Sequence, residues 1–128
     1  MYLCIVGYNI SAQNVSGSLT LGENIADNGG LQTSYDAYKA WLKENHIVTE
    51  APLPGLNHTH DQLFFLSFAQ VWCSVSTPQN IKLQLLEDHH SPARFRVIGV
   101  LSNSKEFANA FQCPIGSRMN PKHKCKVW

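Results

Sequence analysis

Apolar positions change their rhythm several times along the chain. Residues 1–20 are rich in Asn, Ser and Gly with short alternation at Ile10, Val15 and Leu19, which predicts an extended segment or loose hairpin. From about Gly22 the spacing becomes helical: Ile25, Ala26, Leu31, Tyr35, Tyr38 and Leu42 form one stripe running to about Asn45. Gly29-Gly30 interrupts that stripe at about 1 kcal/mol per glycine relative to Ala.

Pro52, Pro54 and Gly55 mark Thr49 to Asn57 as a loop, after which Asp61 is placed to cap a helix from about Gln62 to Ser76. That helix is apolar nearly all the way round and is expected to be central. A shorter helix is predicted from about Pro78 to Glu87, then a polar turn from Asp88 to Arg96. Phe95, Val97, Ile98 and Val100 suggest a short strand, and Ser104 a cap for a helix to about Phe111. Cys113 to Trp128 reads as coil that a disulfide must hold. The 128 residues show neither an internal repeat nor a domain boundary.

Composition narrows the class. With 44% hydrophobic and 15% charged residues the chain is globular in type, and a formal net charge of +1 gives no electrostatic footprint for nucleic acid. Leu63 to Cys73, the most apolar stretch, is far short of the roughly 20 residues of a membrane helix. The first seven residues lack a basic region and an adequate apolar run, so they do not read as a signal peptide. Asn9-Ile10-Ser11, Asn14-Val15-Ser16 and Asn57-His58-Thr59 nonetheless match the N-glycosylation pattern, so Asn9, Asn14 and Asn57 are candidate acceptors. Cys4, Cys73, Cys113 and Cys125 have no C-x-x-C spacing and are read as disulfide candidates. Sequons and cysteines point outside the cell, and an upstream portion of the protein is expected.

Two stretches hold candidate chemistry. In Gly22-Glu23-Asn24-Ile25-Ala26-Asp27-Asn28-Gly29-Gly30-Leu31, Glu23 and Asp27 stand four apart and share one helix face. Such a pair suits a shared cation; equally, two acids in a first turn complement the helix dipole. In Asp88-His89-His90-Ser91-Pro92-Ala93-Arg94-Phe95-Arg96, an acid two residues before His90 can hold it as imidazolium. A cation there would stabilise an oxyanion, and an arginine nearby would grip a carbonyl by forked hydrogen bonds.

These stretches resemble the neprilysin and endothelin-converting enzyme family of zinc metallopeptidases. Further family-like runs follow in order: Gln62 to Leu66, Phe68 to Cys73, His90-Ser91-Pro92 with Phe95-Arg96, Met119-Asn120-Pro121 and Lys124 to Trp128. The resemblance implies a mainly α fold, the C-terminal fragment of a thermolysin-like zinc peptidase domain with a minor strand region, and residues 1–128 as a partial peptidase domain. It implies Glu23 as a zinc ligand, Asp27 as the carboxylate orienting a zinc-bound histidine, His90 as the oxyanion stabiliser supported by Asp88, and Arg96 as a substrate contact. One Zn2+ is expected, with ligands additional to this chain.

The family's H-E-x-x-H, which supplies two ligands and the general base, occurs nowhere in the chain; His58 and His60 lack the glutamate between them and are expected at the surface. By the same resemblance Cys4 is the candidate partner of Cys125, whereas Cys73 and Cys113 pair with cysteines outside this chain. The implied parent is a membrane-anchored or secreted endopeptidase on the extracellular face, with a type II anchor upstream. It acts on short peptides, its partners being the rest of its ectodomain and a second copy of itself in a homodimer. The rival reading is a truncated or degenerate, catalytically inactive member acting as a binding module. Alone, the chain is expected to be poorly soluble or molten, its helices lacking their upstream partners.

Overall fold

The structure is a computed structural model that describes residues 9–10, 13–48 and 50–125. Two short strands, β1 (Asn9–Ile10) and β2 (Gln13–Asn14), pair antiparallel with Asn9 opposite Asn14 and Ile10 opposite Gln13. This is the loose hairpin expected of the first segment, as far as it is described. Among the described residues five helices follow: α1 (Leu21–Glu44), α2 (His60–Val71), α3 (Pro78–Glu87), α4 (Ala93–Asn103) and α5 (Lys105–Ala110). The mainly α expectation holds.

Helix α1 runs unbroken through Gly29-Gly30. Of its predicted stripe Leu31 is buried, while Ile25, Tyr35, Tyr38 and Leu42 are half-buried and Ala26 is exposed. Packing of that face offsets the weak helix propensity of the glycines.

The cap of α2 differs from the sequence expectation. Thr59, not Asp61, occupies the N-cap: its hydroxyl accepts from the Gln62 amide at 3.2 Å, and Gln62 Oε1 accepts from the Thr59 amide at 3.1 Å. This reciprocal box satisfies two otherwise orphaned donors, which one aspartate cannot do. Asp61 lies in the first turn and pairs with Lys39 of α1 at 3.1 Å. The helix also stops at Val71, earlier than expected, and Thr77, held extended (φ −72°, ψ 154°) before Pro78, caps α3. Nor is α2 buried all round: Phe65 is 1% exposed, but Leu66 is 37% and Val71 76% exposed.

The larger correction is at Phe95 to Val100, predicted as a strand after a polar turn and found within α4. Its Val97-Ile98-Gly99-Val100 run has strand-like local propensity. Helical winding instead puts Phe95, Val100 and Leu101 into the interior and Val97 against it, so burial decides the conformation. The Pro92 carbonyl starts the helix by accepting from the Phe95 and Arg96 amides at 2.7 and 3.2 Å.

Helix α4 contacts α1, α2 and α5, and the core forms where they meet: Leu31, Phe65, Val100 and Leu101, with Tyr35, Phe68, Phe107 and Phe111 packed around them. The ring of Phe65 stacks on Tyr35 at 5.3 Å and meets Phe107 edge-on at 5.6 Å. The expected coil after Cys113 is tied down by side chains. Asn120 donates to the Cys113 carbonyl at 2.8 Å, and Lys124 Nζ donates to the Ser102 carbonyl at 2.7 Å, near the end of α4. Burial pushes the Lys124 amine below its ordinary pKa. Among the described residues no helix is long and apolar enough to cross a membrane.

Candidate functional site

The first two turns of α1 lie against the turn before α4 and the first turns of α4. This juxtaposition gathers all five residues singled out for chemistry. Glu23 and Asp27 project from α1; Asp88 and His90 come from the α3–α4 turn; Arg96 comes from α4.

His90 sits between two carboxylates. Its backbone amide and ring Nδ1 both donate to Asp88 Oδ1, at 2.8 and 2.9 Å, and its Nε2 lies 3.2 Å from Glu23 Oε2. Those two hydrogen bonds from His90 hold the Asp88 carboxyl below its ordinary pKa. With Nδ1 committed to an acid, Nε2 faces the Glu23 side, so the ring is oriented by a contact on its far nitrogen. His90 is 44% and Glu23 43% exposed at the side chain, so this edge of the site is open.

Arg96 is oriented differently. Its Nε donates to Asp27 Oδ2 at 2.7 Å and its Nη2 to Oδ1 at 2.6 Å, a two-pronged fork with side-chain exposures of only 17% and 11%. The Asp27 hydrogen bonds raise the guanidinium pKa further above its usual value. The fork accounts for both oxygens of Asp27, the carboxylate expected to orient a histidine, and commits two nitrogens of the residue expected to hold substrate.

Sequence reasoning missed the polar residues that register these elements. Buried Ser91 donates from Oγ to Asn24 Oδ1 at 2.8 Å, and the Asn24 amide donates to Thr20 Oγ1 at 2.8 Å. One turn further, Asn103 Nδ2 donates to Asn28 Oδ1 and to the Cys125 carbonyl, both at 2.8 Å. The visible signal was the spacing: Asn24 and Asn28 repeat the four-residue interval of Glu23 and Asp27, so a second polar row lies beside the first. Trp72 stands over Arg96 with the guanidinium carbon 3.9 Å from its ring centroid. Beyond Trp72 an open groove of about 840 Å³ is lined by Cys73, Ile81, Gln84, Asp88 and Pro92.

As a test of metal fit, Glu23 offers a suitable oxygen donor: an accessible carboxylate whose Oε2 lies 3.2 Å from His90 Nε2. Among the described residues, however, no group of three or more His, Cys, Asp and Glu can hold a metal ion. Glu23 fits zinc as one donor of a larger set and not as a site. His60, expected at the surface, is half-buried: its Nε2 donates to the Ala51 carbonyl at 2.6 Å, so it ties down the loop before α2. His58 is exposed as expected.

Of the cysteines, Cys125 is disulfide-bonded, Cys73 is an exposed free thiol and Cys113 a half-buried one. Cys4 lies outside the described residues, as does the side chain of Asn9. Asn14 and Asn57 are exposed.

Comparison with known proteins places the chain among zinc metallopeptidase relatives. The endothelin-converting enzyme homolog of Locusta migratoria is 59% identical over 98% of this chain, and endothelin-converting enzyme 1 of Homo sapiens is 60% identical over 94%. Neprilysin-3 of Drosophila melanogaster is 57% identical over 95% of the chain. The chain spans only 18%, 16% and 15% of those relatives. Among solved structures, the zinc metalloprotease Zmp1 of Mycobacterium tuberculosis in complex with an inhibitor matches 99% of this chain and 20% of its own, with TM-score 0.83 and 28% identity. The model of peptidase family M13 matches residues 6–127. The chain belongs to peptidase family M13.

Proposed function

We propose that this chain forms one side of the active site of a zinc metalloendopeptidase that hydrolyses short peptides. The observation that carries the reading is the convergence of Glu23, Asp88 and His90, with the Asp27–Arg96 fork one helical turn away. Zinc, when bound, supplies Lewis acidity that polarises the scissile carbonyl. In this reading Glu23 is one ligand of that ion, and the remaining ligands and the general base belong to the remainder of the ectodomain.

The chain's own residues then have separate duties. His90, fixed through Nδ1 on Asp88, presents Nε2 as a hydrogen-bond donor to the oxygen on which negative charge develops. Asp88 keeps the ring oriented by accepting from both the His90 amide and Nδ1. Asp27 fixes the plane of Arg96, and the guanidinium orients a backbone carbonyl of the substrate. In the same reading Asp27 also orients a zinc-bound histidine from outside this chain.

The setting we propose is the extracellular face of a membrane-anchored parent, or a secreted form, which can form a homodimer. Exposed Asn14 and Asn57, together with Asn9, then accept glycans. Cys125 pairs with Cys4, and the free thiols of Cys73 and Cys113 pair with cysteines elsewhere in the parent.

The test is zinc content and peptide turnover of a protein extended upstream through its transcript, beside Glu23→Gln. Stoichiometric zinc and turnover, both lost in Glu23→Gln, are expected. A second reading, an inactive binding module, draws on the missing H-E-x-x-H in residues 1–128. Folded extended protein with neither zinc nor turnover would decide for it.

A further inference from the structure

Trp72 lies just past the end of α2 and has no part in the chemistry described above. Its ring faces the Arg96 guanidinium at 3.9 Å from Cζ to centroid and meets the Phe68 ring edge-on at 6.4 Å. Arg96 is thus constrained in two independent directions. The Asp27 fork fixes two nitrogens within the guanidinium plane. It leaves the plane free to tilt about the line joining the two carboxylate oxygens, and a ring stacked on the face opposes that tilt.

The indole N–H does not explain where the ring sits. Nε1 is buried and without a hydrogen-bond partner among the described residues. A buried indole normally finds an acceptor, so this ring is placed by its faces and edges.

We propose that Trp72 is a positioning residue: its ring face sets the tilt of the Arg96 guanidinium and so the angle at which Arg96 meets a substrate carbonyl. This rests on the peptidase reading above, because Arg96 otherwise has no carbonyl to orient. The step is non-covalent. Trp72 lowers the freedom of Arg96 before substrate arrives, and its loss appears in binding more than in turnover.

The test is a double-mutant cycle in the upstream-extended protein, using Trp72→Leu, Trp72→Phe, Arg96→Lys and the pair Trp72→Leu with Arg96→Lys. KM and kcat on a short peptide are measured with each melting midpoint. Trp72→Leu is expected to raise KM about tenfold with kcat changed less than about twofold, the size expected of a partly desolvated cation–aromatic contact. Trp72→Phe keeps a ring face without the N–H and recovers most of that loss. In the Arg96→Lys background, Trp72→Leu adds less than about twofold. Additive effects overturn the proposal, because Trp72 then acts on KM without Arg96. Trp72→Phe as damaging as Trp72→Leu at equal melting midpoint overturns it too, because the N–H is then what matters. A wild type without turnover refutes the peptidase reading itself and the proposal with it, whereas an active wild type with an additive cycle refutes the proposal alone.

Discussion

Replacing Asp27 by Asn removes one charge from the most enclosed ion pair at the site and leaves its shape nearly unchanged. The two oxygens accept from Arg96 at 2.7 and 2.6 Å. In asparagine one of them becomes an NH2 group whose hydrogens point at guanidinium hydrogens. The charge centres are roughly 4 Å apart, and at an effective dielectric of about 20 their attraction is about 4 kcal/mol. Breaking a fully buried pair from one side costs about 3–5 kcal/mol, because the survivor stays desolvated and unpaired. With side-chain exposures of 17% and 11%, water can reach part of the Arg96 head in the variant, which lowers the expected loss to about 2–3 kcal/mol.

The assay is urea unfolding of the upstream-extended protein beside Asp27→Asn, Arg96→Met and the double variant Asp27→Leu with Arg96→Met. The double variant should be less destabilised than the sum of its singles, since no lone charge remains buried. A loss below about 0.5 kcal/mol for Asp27→Asn would place the fork among ordinary surface pairs and refute the claim that it fixes Arg96.

Phe65→Ala should cost about 3–5 kcal/mol in the same unfolding assay, since the ring is 1% exposed and packs on Tyr35 and Phe107; a loss under about 1 kcal/mol would mean that α2 is not anchored through it. Thr59→Ala should cost about 1 kcal/mol and Asp61→Ala less, and the reverse order would restore Asp61 as the effective cap. The Asp88 pKa is depressed in the folded protein, so near its ordinary value of about 3.9 the unfolded chain binds more protons and stability rises with pH. Its contribution is present above about pH 4 and is lost as pH falls through the folded value, so Asp88→Asn should flatten the acid limb of melting midpoint against pH; an unchanged limb refutes the linkage. The 128 residues alone should enhance the fluorescence of a hydrophobic dye, with Val48 97%, Val71 76% and Val75 102% exposed; a silent dye and a sharp melt would show that the chain closes its own core.

The fold was partly legible. Helix α1 declared itself through a long apolar stripe that its glycines could not cancel, and the site residues stood out through family-like spacing. Helix α4 was misread because Val97, Ile98 and Val100 favour a strand locally, while the reason to wind sits far away in Leu31 and Phe65. The α2 cap was missed because Asp61 was weighed as a single acceptor, whereas Thr59 and Gln62 act as a reciprocal pair three residues apart. Trp72 and Asn103 carried no local signal: their partners Arg96 and Cys125 lie more than twenty residues away, and only the packing of α4 joins them.

The arrangement on α1 explains how a small core can hold an open site. One polar row, Glu23 and Asp27, faces His90 and Arg96; the adjacent row, Asn24 and Asn28, is hydrogen-bonded to Ser91 and Asn103. The second row does the holding. Amides and hydroxyls lock the α3–α4 turn and the end of α4 onto α1 at fixed register, without adding charge beside the carboxylates. Glu23 and His90 therefore stay more than two-fifths exposed and accessible to a ligand while their backbones are fixed. A site registered by apolar contacts alone would have to bury these faces to gain the same rigidity, and burial would close the edge on which Glu23 and His90 meet.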